Sequence, residues 1–226
     1  MEAGRAPARR TQAERRAAAE AALLRAAAEM IVERGVERAS LRGIGTRAGS
    51  SRELPAYHFG SKEALIGRLA TRAQEQAIAA TSAALERAQR DRAELTALEI
   101  LCVTMDTYLE LFAAADAEAR AVVVLWGASL ATESDLPAVR EAARLRHHEL
   151  TGQIQAGQQD GSIRADIDPA AAAVVVMGLV RGAAAMSLAQ PDTADPNQVR
   201  KLCGDAIKAL LRDNDETITR PGIARS

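Results

Sequence analysis

The chain has 226 residues, 48% hydrophobic, 26% charged and 2% aromatic. That length allows one large or two small domains, and the apolar share excludes wholesale disorder. Five aromatic residues and abundant alanine argue against an all-β fold, and Cys102 and Cys203 are too few and too distant for a disulfide framework or a Cys-rich zinc site. The formal net charge of −1 hides an asymmetry: residues 1–75 hold 14 Lys+Arg against 9 Glu, a net of +5, and the remainder holds 15 against 21, a net of −6. A basic N-terminal third on an acidic remainder points to one part that meets a polyanion and another that does not. No apolar h-region follows the basic N-terminus. The longest apolar candidate, 167–188, is interrupted by Asp168, Pro169 and Arg181, so a cytoplasmic protein is expected.

In chain order the pattern is helical throughout. Residues 1–10 form a basic arm expected to be disordered. Thr11 is placed to cap a helix to about Arg34, with Ala17, Ala21, Leu24, Ala28 and Ile31 on one stripe and Gly35 as its terminator. Ser40 caps a short helix over 41–48, broken by Gly49-Ser50. A third short helix is expected from Arg52 to about His58, and Ser61 caps a long one through Leu65, Leu69 and Ala73. Two short helices joined by a glycine turn, after a longer one, are the pattern of a helix-turn-helix. Further helices are expected at 92–114, 118–131, 135–160, 169–188 and 197–212, about nine in all. The segment 118–131, with Val122, Val123, Val124, Leu125 and Trp126, is apolar almost all round and is expected to be deeply buried. The segment 135–160 carries Leu136, Val139, Ala143, Leu150 and Ile154 on one stripe.

The string Ser40-Leu41-Arg42-Gly43-Ile44-Gly45-Thr46-Arg47-Ala48-Gly49, followed by Tyr57-His58-Phe59-Gly60-Ser61-Lys62-Glu63-Ala64-Leu65, resembles the DNA-binding module of TetR/AcrR-type transcriptional regulators. The motif covers about 30 residues, and the helical pattern extends to the rest. The resemblance implies an all-α protein with an N-terminal three-helix helix-turn-helix domain at 11–60. A larger helical ligand-binding and dimerisation domain would follow at 61–213, between the arm at 1–10 and a flexible tail at 214–226.

Within the motif, Leu41, Ile44 and Ala48 are placed to hold the second helix on the first. Phe59 is expected to plug the small core and Leu65 to close it. By resemblance, Tyr57 and His58 lie on the recognition helix and touch phosphates or base edges; the competing reading makes Tyr57 a packing residue. Ser51, Arg52, Glu53 and Ala56 are expected on the exposed face of that helix. Arg52 suits a bidentate contact to guanine, and Glu53 can accept from cytosine N4. Ser40, Arg42, Thr46, Arg47 and Lys62 are expected phosphate contacts, which supply affinity and salt dependence rather than sequence reading. Arg5, Arg9 and Arg10 could reach a groove from the arm. Three residues depart from the family pattern. Gly43 and Gly45 each cost the second helix roughly 0.5–1 kcal/mol relative to alanine. Pro55 would clash with the Ser51 carbonyl in a helix capped by Ser51, so that helix starts late or with a distorted turn.

Helix-turn-helix proteins dimerise to place two recognition helices about 34–36 Å apart. The segment 169–188 offers a stripe of small residues, Ala171, Val175, Gly178, Gly182, Ala185 and Ala189, for close helix approach. With Val199, Leu202, Ala206 and Leu210 of the last helix it would build the four-helix dimer interface that the resemblance implies. The alternative is packing within one subunit. Arg181 is expected to pair with an acid or to sit at the rim. An apolar cavity is expected between 92–160 and 169–188, with Met105, Tyr108, Phe112, Trp126, His147, Met177 and Met186 as candidate lining. Plain core is the competing reading for each, and a satisfied core histidine for His147.

The three histidines, His58, His147 and His148, make no Ser-His-Asp spacing. No Gly-rich phosphate loop exists, and consecutive His147 and His148 splay on a helix and chelate poorly. No enzyme, cofactor, metal or membrane partner is expected. The reading is a homodimeric regulator of double-stranded DNA, a repressor released by a small hydrophobic or amphipathic effector. The alternative is a ligand-independent architectural or interaction protein whose C-terminal domain only dimerises or recruits a partner.

Overall fold

The computed structural model describes residues 11–91, 94–113, 116–131 and 136–212. The arm expected at 1–10, with Arg5, Arg9 and Arg10, and the tail at 214–226 lie outside the described residues. Among the described residues there are nine α-helices and no strand: α1 (Gln12–Arg34), α2 (Leu41–Arg47), α3 (Leu54–Phe59), α4 (Lys62–Asp91), α5 (Ala97–Ala113), α6 (Ala117–Ser129), α7 (Pro137–Gln159), α8 (Pro169–Ala189) and α9 (Pro196–Leu211).

Local chemistry sets most of the ends. Thr11 and Glu14 form a reciprocal capping box at the start of α1. Ser40, Ser61, Asp116, Asp168 and Asp195 each accept from a backbone N–H of the first turn that follows. Proline stands in the first turn of α8 and α9, where its missing N–H loses no helix bond. Gly35 ends α1 at φ +80°, and Gly49 turns the chain after α2 at φ +67°, both in the region that only glycine enters without strain.

The helices divide into two compact units. The first holds residues up to Gln76 with those from 116 to Ala143: α1, α2, α3, the beginning of α4, α6 and the beginning of α7. Its core joins Leu24 and Ile31 of α1, Ile44 of α2, Leu65 and Leu69 of α4, Ala121 and Leu125 of α6, and Val139 of α7. The second holds Ala77–Ala113 and the residues from Arg144 onward. Its core joins Leu101 and Met105 of α5, Leu150 and Ile154 of α7, Val176 and Val180 of α8, and Ile207 and Leu211 of α9.

This partition does not follow the boundary at 60/61. The first unit takes in α6 because that helix packs its apolar side on α1. The single stripe expected along 135–160 is likewise shared: Leu136 and Val139 enter the first core, Leu150 and Ile154 the second. The deep burial expected for 118–131 is corrected as well. Ala121, Val123 and Leu125 are buried, while Val122, Val124 and Trp126 are half-buried and Leu130 is exposed. One side of α6 is enough to cover α1.

By length and composition α8 could cross a membrane, despite the interruptions seen in its sequence. Its apolar residues instead serve two sides. Ala172, Ala173, Val176, Met177 and Val180 lie in the second core, and Val174, Val175 and Met186 are exposed.

Candidate nucleic-acid interface and ligand cavity

In the first unit, α2 and α3 meet across an exceptionally close contact. A Cβ on Gly45 would lie 2.6 Å from the Ser51 carbonyl oxygen, 3.2 Å from Arg52 Cα and 3.1 Å from Pro55 Cδ. The glycine therefore lets the chain after Gly49 fold directly onto α2, which outweighs its helix-propensity cost. Gly43 is different: its nearest neighbour is the flexible end of Met30.

The recognition helix starts late. Glu53 precedes it without a side-chain cap, Pro55 falls in its first turn, and only six residues are helical. Leu54 N–H donates to the Ser51 carbonyl at 3.2 Å, so residues 51–54 form a turn and the anticipated proline clash is avoided. This corrects the placement of Ser51, Arg52 and Glu53. All three are exposed, but in the turn before α3 rather than on its face. Ala56 and Tyr57 are the exposed residues of the helix itself, and His58 is half-buried beside them.

Tyr57 is 82% exposed, which removes the packing alternative for its ring. Its only ring neighbour among the described aromatic contacts is His58, edge-on at 5.8 Å. Pro55 is the buried residue of α3, and Phe59, expected as the plug, is half-buried against the core while Leu65 is buried beneath it.

The expected phosphate contacts differ in what already holds them. Ser40 caps α2 through its hydroxyl, Thr46 donates to the Arg42 carbonyl, and the Arg42 side chain is exposed. Lys62 is half-buried and donates to the Glu37 carbonyl at 3.3 Å, fastening the start of α4 to the α1–α2 loop with ammonium protons to spare. Arg47 is engaged with acids: one of its terminal nitrogens bonds both Glu33 carboxylate oxygens, at 2.9 and 2.7 Å, and Glu29 lies at 4.0 Å. Its hydrogen bond holds the Glu33 carboxyl below the usual range and raises the guanidinium. Arg47 therefore ties α2 to α1, a pairing that sequence spacing alone did not reveal.

The second unit contains a narrow, partly open cavity, lined by Ala77 and Thr81 of α4, Thr104, Met105 and Tyr108 of α5, Arg146 of α7 and Met177 of α8. Met105, Tyr108 and Met177 were expected there. Four other candidates stand elsewhere. Phe112 is buried and packs edge-on against Tyr108 at 4.6 Å. His147 bonds the Ala170 carbonyl through Nε2 at 3.1 Å, the structural histidine already considered. Trp126 belongs to the first unit, where α6 packs on α1. Met186 is 57% exposed on the outward side of α8.

Arg146 was not anticipated because helical spacing marks charges as surface. Arg181, expected at a rim or on an acid, is half-buried and hydrogen-bonds the Tyr108 hydroxyl. Burial, and then the nearby charge of Arg146, press its guanidinium downward.

The proposed interface residues of α8 and α9 lie mostly outward. Val175, Gly178 and Gly182 are exposed, as are Leu202 and Ala206; Ala185, Val199 and Leu210 are half-buried. Open space surrounds the Cβ direction of Gly178 and Gly182.

Two family models match the chain. Residues 23–69 match the bacterial regulatory proteins of the tetR family, and residues 97–212 match the C-terminal domain of BetI-type transcriptional repressors. The chain belongs to the TetR family of transcriptional regulators.

Solved structures share its fold. A TetR-family transcriptional regulator from Rhodococcus sp. is 22% identical over 86% of this chain and 99% of its own, with a TM-score of 0.69. AibR, in complex with isovaleryl coenzyme A and operator DNA, is 19% identical over 84% and 97%, at 0.64. SmeT, in complex with triclosan, is 20% identical over 90% and 98%, at 0.68. No curated protein matches in sequence. The TetR family is one of DNA-binding regulators that act as dimers, and its members are not enzymes.

Proposed function

We propose that this TetR-family protein is a cytoplasmic repressor that grips operator DNA through the start of α2, the turn 51–53, α3 and the start of α4, and leaves it when a small ligand enters the second unit. The observation that carries the DNA contact is the presentation of Tyr57: a large ring held almost wholly in solvent on a helix braced by Pro55, with exposed Arg52 and Arg42. A solvated aromatic of this size has no role in the core and suits a contact to the DNA backbone or bases. Ser40, Arg42, Thr46 and Lys62 supply phosphate contacts, and Ser51, Arg52, Glu53, Ala56 and His58 lie where base edges would pass. As a functional division, 11–60 reads DNA and 61–213 binds ligand and partner.

The outward residues Val175, Gly178, Gly182, Leu202 and Ala206 form the twofold interface with a second copy, with Ala185, Val199 and Leu210 at its edges. Ligand release follows from linkage: a molecule that binds better to the dimer whose recognition helices are out of register lowers operator affinity by that difference. Selection of binding duplexes from a random pool yields the operator. On it, Tyr57→Ala with Lys62→Ala is expected to abolish specific binding while sedimentation still shows a dimer. Undiminished operator affinity would refute the assigned contacts. A thermal-shift screen with hydrophobic ligands, followed by operator release, separates this reading from a ligand-independent architectural role.

A further inference from the structure

We propose that the turn joining α1 to α2 is a further DNA-contacting element, with Arg38 as a phosphate contact held in place from the start of α4. This rests on the DNA-binding function proposed above and adds to it a residue outside the sequence motif.

The turn is fixed at three points. Val36 and Ala39 are buried in the first core. The Ala39 N–H donates to the Val36 carbonyl at 3.2 Å, which closes a four-residue turn with Glu37 and Arg38 at its centre. The third point is Lys62, whose ammonium donates to the Glu37 carbonyl at 3.3 Å. The backbone of Arg38 is thus held on both sides. Its side chain is exposed and makes no hydrogen bond or ion pair among the described residues. A guanidinium carried on a fixed backbone loses less freedom on binding than one on a loose loop.

Position separates Arg38 from the other exposed arginines of the unit. Ser40, two residues on, is one of the phosphate contacts assigned above; its hydroxyl accepts from the Gly43 N–H at 3.2 Å and keeps its proton to donate. Lys62, another, is bonded to the residue before Arg38. Arg16 and Arg25 instead lie along α1. Arg38 also supplies a cation where Arg47 cannot, since Glu33 holds that guanidinium at 2.7 Å. Glu37 is exposed in the same turn, so the turn has no net charge and does not draw a duplex from a distance. What Arg38 contributes is a short-range, charge-assisted bond to a phosphate oxygen.

The test measures binding of the full-length protein to its selected operator and to a random duplex across salt concentrations. Arg38→Ala is expected to weaken both duplexes by about fivefold at low salt and to reduce the slope of log affinity against log salt by about 1 per subunit. Arg38→Lys is expected to keep the slope, because a phosphate contact needs the charge and not the fork. Arg25→Ala makes the same change of charge on α1 and is expected to leave affinity and slope unchanged. In a Lys62→Met background, where the turn is released, Arg38→Ala is expected to cost less than about twofold. A full loss in that background overturns the positioning by Lys62. Unchanged affinity and slope in Arg38→Ala, or an equal loss in Arg25→Ala, overturns the contact, and the DNA-binding function stands if Tyr57→Ala with Lys62→Ala still weakens the operator. If none of these variants weakens it, both fall.

Discussion

The two units use the same ingredients, helices rich in alanine and a few arginines, in opposite ways. In the first, one pair is tied down inside: Arg72 donates to Glu118 at 2.8 Å, with the carboxylate side chain only 5% exposed. In the second, the comparable pair lies outside, Arg200 on Asp106 at 2.7 Å with the acid 48% exposed, while Arg146 and Arg181 gather at the cavity. Each unit has both covered and open glycines, Gly45 and Gly157 being closely covered and Gly49 and Gly178 not. Gly45 is pressed against backbone, whereas Gly178 and Gly182 look into open space. The contrast teaches that a module presenting a fixed surface to DNA uses its polar groups to hold helices in place. The second unit keeps its comparable pairs at the surface, where water screens them.

The largest break of this contrast is expected from Glu118→Ala. It strands Arg72 in a mostly buried place and is expected to cost about 3 kcal/mol of unfolding free energy, against about 0–1 kcal/mol for Asp106→Ala, both measured by urea denaturation. Next come the glycines. Gly45→Ala forces a Cβ into the Ser51 carbonyl and is expected to cost about 1–3 kcal/mol and to displace α3, so operator affinity collapses. Gly178→Ala is expected to stabilise the isolated subunit by roughly 0.5–1 kcal/mol through helix propensity while weakening the dimer, seen as a higher dissociation constant in sedimentation.

A smaller effect concerns acid. Asp160 accepts from Ser162 N–H at 2.9 Å and from Ala97 N–H at 2.8 Å, and these bonds, with the Ser162 side chain foremost, hold its carboxyl below the ordinary 3.8. A depressed folded pKa stabilises the fold above the unfolded value and loses that contribution as pH falls through the folded one. The acid limb of the stability profile below about pH 4 is therefore expected to flatten in Asp160→Asn, with its midpoint compared against wild type by thermal unfolding across pH. The smallest difference separates two arginines of α2. Arg42→Ala is expected to reduce the slope of log operator affinity against log salt by about 1, as for the loss of one phosphate contact. Arg47→Ala, already neutralised by Glu33, is expected to leave that slope unchanged.

Much of this was legible from residues alone. Helix caps such as Thr11, Ser40 and Ser61 depend on neighbours within a turn, so local chemistry placed them. The Tyr57–Leu65 motif is contiguous and carried the family with it. The late start of α3 was foreshadowed because the Pro55 clash is also a local fact. Periodicity marked Met105, Tyr108 and Met177 as inward, since one stripe of a helix must be covered.

What tertiary structure decided were matters of which surface covers which. Trp126 and Met186 left the cavity because α6 packs on α1 and because α8 is apolar on both sides, so no period distinguishes its core side from its outward side. Gly45 looked like a cost in helix propensity until the backbone of residues 51–52 was found against it. The gathering of Arg146 and Arg181 around Tyr108 joins three helices far apart in the chain. Local free energies reach about one helical turn, whereas the partner of a buried charge is chosen by the packing of the whole unit.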